Sequence, residues 1–215
     1  MFKGTSASAG IGIGKAVIVE EAELVITRNE VADAEAEIQR FKGALEKTIA
    51  ATQKMADDLA SRVGEKKAEI MQGHMMLLSD PMLTGEIENS VKNDKVNCEF
   101  AIENVCNMYA DMFASMGDEL MQQRATDMRD IKVRMQRTLM GLESVDVSLL
   151  PKGSILVAKD LTPSMTAGIN PENVSGIVTE LGGKTSHSAI LARALEIPAV
   201  VAVNGLMDAV KDGDS

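Results

Sequence analysis

The residues best suited to chemistry lie at positions 181–193, which read Leu-Gly-Gly-Lys-Thr-Ser-His-Ser-Ala-Ile-Leu-Ala-Arg. An apolar run at positions 176–178 precedes them and predicts a short buried strand. Thr185 and Ser186 are both of the type that caps a helix, so a helix is expected to begin here. His187 is therefore predicted in the first turn of the helix of a strand–loop–helix unit.

The predicted helix start favours an anion next to His187, because its backbone N–H groups are unpaired and its dipole is positive there. Positions 185–189 contain no Asp or Glu that would occupy this place. The same positive field disfavours the imidazolium and keeps a ring nitrogen nucleophilic near neutral pH. The pattern favours a histidine that attacks a phosphoryl donor, although a histidine that only caps or packs fits the same helix start.

A nucleotide-binding loop is a rival interpretation, because Gly183-Lys184-Thr185 resembles the end of the pattern G-x-x-x-x-G-K-[ST]. The first glycine of that pattern would stand at position 178, which is Val178 in this chain. The sequence therefore excludes the P-loop interpretation.

Composition narrows the remaining classes of function. A net charge of −10 and an aromatic content of 2% argue against binding to nucleic acid. No apolar run approaches the roughly 18–20 residues that span a bilayer, and the first residues lack the apolar segment of a signal peptide. Cys98 and Cys106 lie about 12 Å apart on a predicted helix, too far for a disulfide, which favours a reducing cytoplasm.

The hydrophobic pattern changes twice along the chain. Glycine-punctuated apolar segments at positions 4–20 and 153–215 predict strands, with short buried ones at 155–157, 177–178 and 199–201. Apolar spacings of three and four dominate positions 30–142 and predict helices, including one long helix across positions 38–59. Breaks are expected near Gly64 and Gly117, and a helix is expected to start at Pro81. The fold class is therefore α/β plus all-α. We expect a discontinuous α/β domain at 1–24 and 145–215, with a helical bundle inserted at 30–143. A further strand of the α/β domain is expected beyond Ser215.

The string around His187 resembles the phosphohistidine signature of the phosphoenolpyruvate-utilising phosphotransferases. The order of parts over all 215 residues is similar to the N-terminal half of Enzyme I of the bacterial sugar phosphotransferase system. The resemblance implies a swivelling phosphohistidine domain with an inserted helical subdomain. It also implies a phosphoenolpyruvate–protein phosphotransferase, in which a histidine takes phosphate on Nε2 and passes it to the carrier protein HPr.

The same resemblance assigns roles to single residues. His187 becomes the phosphorylated residue, and Thr166 becomes the residue whose hydroxyl bonds the other ring nitrogen and so fixes its tautomer. An ordinary helix-start threonine is the alternative for Thr166. The side chains expected next to the phosphate are Thr185, Ser186, Ser188 and Lys184, and a solvated side chain is an equally good interpretation of Lys184.

The matching part of the helical insert is the HPr-binding face of that family. A stripe of methionines at helical spacing is also typical of a core, but the run at positions 75–78 is apolar all round and too wide for one buried side. Acidic neighbours would steer a basic partner. The residues predicted to bind HPr are Glu65, Ile70, Met71, His74, Met75, Met76, Leu77, Asp80 and Arg124.

The resemblance implies that Enzyme I continues into a barrel domain that binds phosphoenolpyruvate and Mg²⁺ and drives dimerisation, and none of the 215 residues is expected to belong to it. The sequence therefore predicts no cofactor or metal ligand within these residues, a homodimer only in a full-length protein, and no nucleic-acid or membrane partner. Two alternatives stay open: the swivelling domain of a related dikinase or synthase, and a regulatory docking module that transfers no phosphate.

Overall fold

The computed structural model describes residues 2–215, apart from the side chains of Lys66 and Lys67. The strands are β1 (Thr5–Ser8), β2 (Lys15–Ile18), β3 (Ser154–Ala158), β4 (Val174–Thr179) and β5 (Ala199–Val201). The helices are α1 (Ala34–Val63), α2 (Glu69–Leu78), α3 (Pro81–Asp94), α4 (Cys98–Ser115), α5 (Glu119–Met140), α6 (Pro163–Gly168), α7 (His187–Ala194) and α8 (Leu206–Ala209). Short 3₁₀ turns lie at Glu65–Ala68 and Val147–Leu149. No helix among the described residues is long and apolar enough to cross a bilayer.

The first compact unit is α/β and comprises residues up to Ala22, Leu59–Ala68 and Val145–Ser215. Its five strands form one sheet in the order β1-β5-β4-β3-β2, parallel throughout except for the antiparallel pair of β1 and β5. The strands predicted at 155–157, 177–178 and 199–201 are confirmed as β3, β4 and β5. The N-terminal segment supplies β1 and β2, as the resemblance implies.

The larger of the two buried clusters in this unit includes residues of the sheet and of α7. Leu156 and Ile177 point from β3 and β4 into a cluster that includes Ala189 and Ala192 of α7. Each of the two larger side chains stabilises the fold by roughly 1.5–3 kcal/mol through burial. The small alanines let α7 approach the sheet closely, and this packing fixes the position of the helix that begins with His187.

Glycines in the N-terminal segment allow its backbone to lie close to the backbone of neighbouring segments. A Cβ atom on Gly12 would clash with the carbonyl oxygen of Ser175, and one on Gly14 would clash with that of Gly153. The glycine spacing in this segment is therefore explained by contact between neighbouring chain segments, with Ile11 and Ile13 left exposed between them.

The second unit is helical and comprises Glu23–Asp58 and Glu69–Ser144. Its core includes Phe41, Ile87, Ile102 and Ile131, contributed by α1, α3, α4 and α5. The single long helix predicted across positions 38–59 is confirmed as α1. The predicted start of a helix at Pro81 is confirmed too.

The helix breaks follow from local sequence. Gly64 and Gly117 adopt left-handed backbone angles, with φ of +85° and +78°, at the two places where breaks were predicted. Asp80 caps α3 by accepting a hydrogen bond from the Met82 N–H, and Pro81 occupies the first helical position, where its missing N–H costs little.

The predicted domain boundary is wrong for residues 59–68. The sequence placed them in the helical insert, but they belong to the α/β unit. Arg62, near the end of α1, donates hydrogen bonds to the carbonyl oxygens of Ala167 and Ile169. Because α1 continues unbroken through the boundary, its regular spacing of apolar residues gives no sign that its packing partner changes.

Candidate functional site

His187 is the first residue of α7, as predicted, and the loop at 180–186 connects it to the end of β4. Ser186 is the N-cap, since its side chain accepts a hydrogen bond from the Ala189 N–H at 3.3 Å. Gly182 has a φ of +100°, which a residue with a side chain rarely adopts. The glycine and the cap together turn the chain from the strand into the helix.

Two serine hydroxyls hold this turn together. Ser186 Oγ donates to the carbonyl oxygen of Gly183 at 2.8 Å and lies 2.9 Å from Ser188 Oγ. Because Ser186 has only one hydroxyl proton, the hydrogen atom between the two serines comes from Ser188. These hydroxyls, predicted to neighbour the phosphate, are therefore engaged in shaping the loop.

His187 is 7% exposed, and α6 packs against α7. Thr166 on α6 is buried, and its hydroxyl donates to the carbonyl oxygen of Thr162 at 2.8 Å. With its proton committed, Thr166 Oγ1 can only accept a further hydrogen bond. A ring nitrogen that meets it must carry a proton, which leaves the opposite nitrogen as the nucleophile. The predicted contact between Thr166 and His187 stays a prediction.

The start of α7 is open to an anion. Its first turn contains no acidic residue, and the side chains of Lys184 and Thr185 are exposed in the preceding loop. A buried histidine at the positive end of a helix, next to unpaired N–H groups, can act as a nucleophile toward phosphorus and can hold the anionic product.

Sequence reasoning gave no role to Asp160, which lies beside this loop. Its carboxylate is close to Gly182, and burial raises the pKa of Asp160 while a hydrogen bond from the Leu161 N–H lowers it in part. For Arg193 the sequence favours a salt bridge or a contact with a phosphoryl donor from a further domain; in the structure its guanidinium donates to the carbonyl oxygens of Ala7 and Lys184. The sequence around Asp160 and Arg193 contains no local pattern that predicts these contacts.

The predicted HPr-binding set is wrong for Met71 and His74. Both side chains are fully buried, so neither can touch a partner. His74 Nε2 donates to Asp127 Oδ1 at 3.1 Å, and His74 Nδ1 lies 3.6 Å from Asp130 Oδ2. Both carboxylates come from α5, more than fifty residues away in the chain, and they hold the histidine inside the bundle.

The rest of the predicted set is mixed. Met76 is 71% exposed, whereas Ile70, Met75 and Leu77 are half-buried. Arg124 is half-buried beside Asp127, and Asp80 caps α3. Glu65 is exposed but belongs to the α/β unit.

Other exposed apolar side chains were missed. They lie on α3, α4 and the start of α5, with one on the α4 C-cap, and are Met82, Met108, Met112, Met116 and Leu120. The methionines at 108, 112 and 116 recur every four residues, which is a helix-face signal visible in the sequence. We call these five residues and Met76 the methionine surface.

The methionine surface is connected through its helices. Burial and the nearby carboxylates of Glu86 and Asp80 raise the pKa of Tyr109 on α4, which places Tyr109 beside the start of α3. Gln122 of α5 donates to the carbonyl oxygen of Ala114 near the end of α4. The exposed side chains of the methionine surface therefore lie on neighbouring helices.

Comparison with known proteins gives consistent matches. Residues 3–124 match the family described as PEP-utilising enzyme, N-terminal, and residues 150–215 match PEP-utilising enzyme, mobile domain. The chain is 41% identical over 212 residues to the phosphoenolpyruvate-protein phosphotransferase of Bacillus subtilis and 43% identical over 213 residues to that of Listeria monocytogenes. These alignments cover 99% of this chain but only 37% of each relative.

Solved structures that match this chain come from the same family of proteins. A solution structure of Enzyme I matches with a TM-score of 0.85 at 40% identity, covering 99% of this chain and 87% of the other. The N-terminal domain of a nitrogen Enzyme 1 matches with a TM-score of 0.64 at 26% identity, covering 94% and 83% of the two chains.

Proposed function

Since this chain belongs to the family of PEP-utilising enzymes, we propose that it carries a phosphoryl group on Nε2 of His187 between phosphoenolpyruvate and HPr. The observation that carries the proposal is the place of His187 as the first residue of α7, behind the Ser186 cap and with no carboxylate in the first turn. The match to the phosphotransferases supports this role over a dikinase or synthase domain.

The step requires a neutral imidazole. The lone pair of Nε2 attacks the phosphorus atom of the donor, and the bond from phosphorus to the donor atom breaks with its electron pair staying on the donor. The Nδ1 proton stays in place throughout. Thr166 Oγ1, which can only accept, is suited to hold that proton, because its own hydrogen is given to Thr162.

We assign HPr docking to the methionine surface. Its six apolar side chains are each more than 40% exposed, and methionines adapt readily to a partner. Asp80 and Glu86 lie at its edge, near Tyr109, and supply negative charge that favours a basic partner.

A substitution tests the docking assignment. Met76→Asp should weaken HPr binding at least about tenfold, because a charge on an exposed apolar contact must be desolvated on binding. Val25→Asp is the matched control: Val25 is 79% exposed in the same unit but lies in the segment before α1, next to Arg40 and Asn97. Calorimetric titration with HPr that shows equal affinity for both variants would contradict the assignment.

Phosphoenolpyruvate and Mg²⁺ belong, in this proposal, to the part of the longer relatives that these residues do not cover, as does formation of a homodimer. We place the protein in the cytoplasm, which the two buried free thiols of Cys98 and Cys106 favour.

Labelling tests the transfer itself. The chain is incubated with phospho-HPr, or with phosphoenolpyruvate and Mg²⁺, and bound phosphate is followed by ³¹P NMR and mass spectrometry. We expect acid-labile, base-stable phosphate from phospho-HPr only. A folded sample that accepts no phosphate from phospho-HPr would favour a docking module, and labelling by phosphoenolpyruvate alone would place the donor site within these residues.

A further inference from the structure

Arg193 joins two chain segments at the back of the His187 loop. Its Nη1 donates to the carbonyl oxygen of Ala7 at 2.9 Å and to that of Lys184 at 3.1 Å. Ala7 lies where the pairing of β1 with β5 shifts register, between Ser6 and Ser8, so it is not part of the regular ladder. The guanidinium therefore ties the loop to a carbonyl group at the irregular edge of the sheet.

This contact fixes a peptide plane. The carbonyl group of Lys184 and the N–H of Thr185 belong to one planar trans peptide and point in opposite directions. Holding the carbonyl oxygen of Lys184 on Arg193 therefore turns the Thr185 N–H away from the guanidinium. The Thr185 N–H donates to no acceptor among the described residues.

The neighbouring peptide is held in the same way. Ser186 Oγ donates to the carbonyl oxygen of Gly183, and the Ser186 N–H donates to the same oxygen at 3.1 Å. The direction of the Lys184 N–H is thus fixed as well. Two successive N–H groups of the loop are oriented by bonds to the carbonyl oxygens that precede them.

We propose that Arg193 is a positioning residue for phosphoryl transfer, which orients the Thr185 N–H to donate to the phosphoryl group on His187. This inference rests on the proposed function, since it needs a phosphoryl group at His187. Arg193 itself stays on the carbonyl side of the loop and does not touch the anion. A guanidinium suits this place because its planar array of donors is rigid and its charge is permanent, whereas a lysine ammonium is a mobile point charge.

The test compares Arg193→Gln and Arg193→Lys with the unmodified chain. Arg28→Gln is the matched control, because it removes the same charge from an exposed arginine on the segment before α1. Each ¹⁵N-labelled protein is phosphorylated with phospho-HPr, and amide shifts, single-turnover rates and the KM for HPr are measured. Wild-type labelling comes first, since its failure would overturn the proposed function and with it this inference.

We expect the Thr185 amide of the unmodified chain to shift downfield on phosphorylation, and this shift to shrink at least twofold in Arg193→Gln. The single-turnover rate should fall about tenfold, which is the loss of one charge-assisted hydrogen bond, with the KM for HPr unchanged. Arg193→Lys should lie between the two, and Arg28→Gln should match the unmodified chain.

A wild-type rate and a wild-type Thr185 shift in Arg193→Gln would overturn the proposal. So would an equal loss of rate with an undiminished Thr185 shift, since that pattern indicates a structural role only. If Arg193→Gln does not fold, Arg193→Lys decides: a folded lysine variant with unchanged Thr185 shift and rate refutes the positioning role.

Discussion

His187 and His74 are both buried, but their surroundings equip them for opposite roles. His187 begins a helix whose first turn has no carboxylate, and the hydroxyl-rich loop before it leaves an N–H group directed away from the protein's own acceptors. His74 lies in the middle of α2, with Asp127 at 3.1 Å and Asp130 at 3.6 Å. His187 therefore lies where an external anion can bind, whereas His74 lies beside carboxylates of the chain itself.

The difference shows which feature makes a buried histidine available for chemistry. At His74 a carboxylate lies beside each nitrogen of a fully buried ring, and this negative charge repels an anionic phosphoryl donor. Unpaired N–H groups next to the ring do the reverse, because they stabilise the phosphorylated product. The carboxylates beside His74 therefore argue against phosphorylation of that histidine, and the absence of carboxylates beside His187 argues for it.

The largest effect is expected when His187, the residue proposed to carry the phosphate, is replaced. His187→Ala should lower labelling by phospho-HPr about 10³-fold or more, because the nucleophile is removed. Circular dichroism checks that the variant is folded, and mass spectrometry of the unmodified chain locates the phosphate. Phosphate on a peptide that contains His74 would refute the assignment.

The second prediction concerns stability and is made for His74→Ala. Removal of the ring should destabilise the helical unit by about 3 kcal/mol or more, because a buried hydrogen bond to Asp127 is lost and a cavity forms. Labelling of His187 should persist below the melting temperature. His74→Gln, which retains a donor for Asp127, is the control and should recover part of the loss in a urea titration. A melting temperature equal to wild type for His74→Ala would contradict the structural role.

The two histidines also show how far local sequence predicts the fold. The loop before His187 was predictable because its determinants are neighbours in sequence: a glycine pair, a cap at Ser186 and an apolar strand before them. Strand positions and helix breaks in the rest of the chain were predictable for the same reason.

The buried face of α2 was not predictable, because its determinants lie far away in the chain. The partners of His74 are on α5, and Met71 and Leu78 are buried although Met76 is exposed. A segment that is apolar all round does not reveal which side faces the core. The boundary within α1 escaped prediction for a related reason, since the helix is continuous there.

A smaller effect on phosphoryl transfer is expected from Thr166→Val, which tests whether Thr166 orients the His187 ring. Loss of the hydroxyl should slow single-turnover transfer about tenfold without loss of folding, because the ring tautomer is no longer fixed. Thr166→Ser restores a hydroxyl and should recover most of the rate. A Thr166→Val rate equal to wild type would reduce Thr166 to a packing residue.

The smallest predicted effect concerns Asp160, the carboxylate beside the His187 loop, which contrasts with the carboxylates paired with His74. Burial raises the pKa of Asp160 above its ordinary value of 3.8, so the folded state binds its proton more tightly than the unfolded state does. The stabilisation from protonated Asp160 is therefore fully present below pH 3.8 and is lost as the pH rises through the raised pKa.

Asp160→Asn removes this titration while keeping an oxygen that can accept from the Leu161 N–H. The variant should gain stability relative to the unmodified chain between pH 3.5 and pH 7, by less than about 1 kcal/mol in urea titrations. Glu37→Gln is a control of opposite sign, because its hydrogen bonds from Arg40 lower the pKa of Glu37 and the ionised form stabilises the fold above pH 4.5. If Asp160→Asn instead lost stability as the pH rose, the carboxylate beside the His187 loop would be paired with a cation.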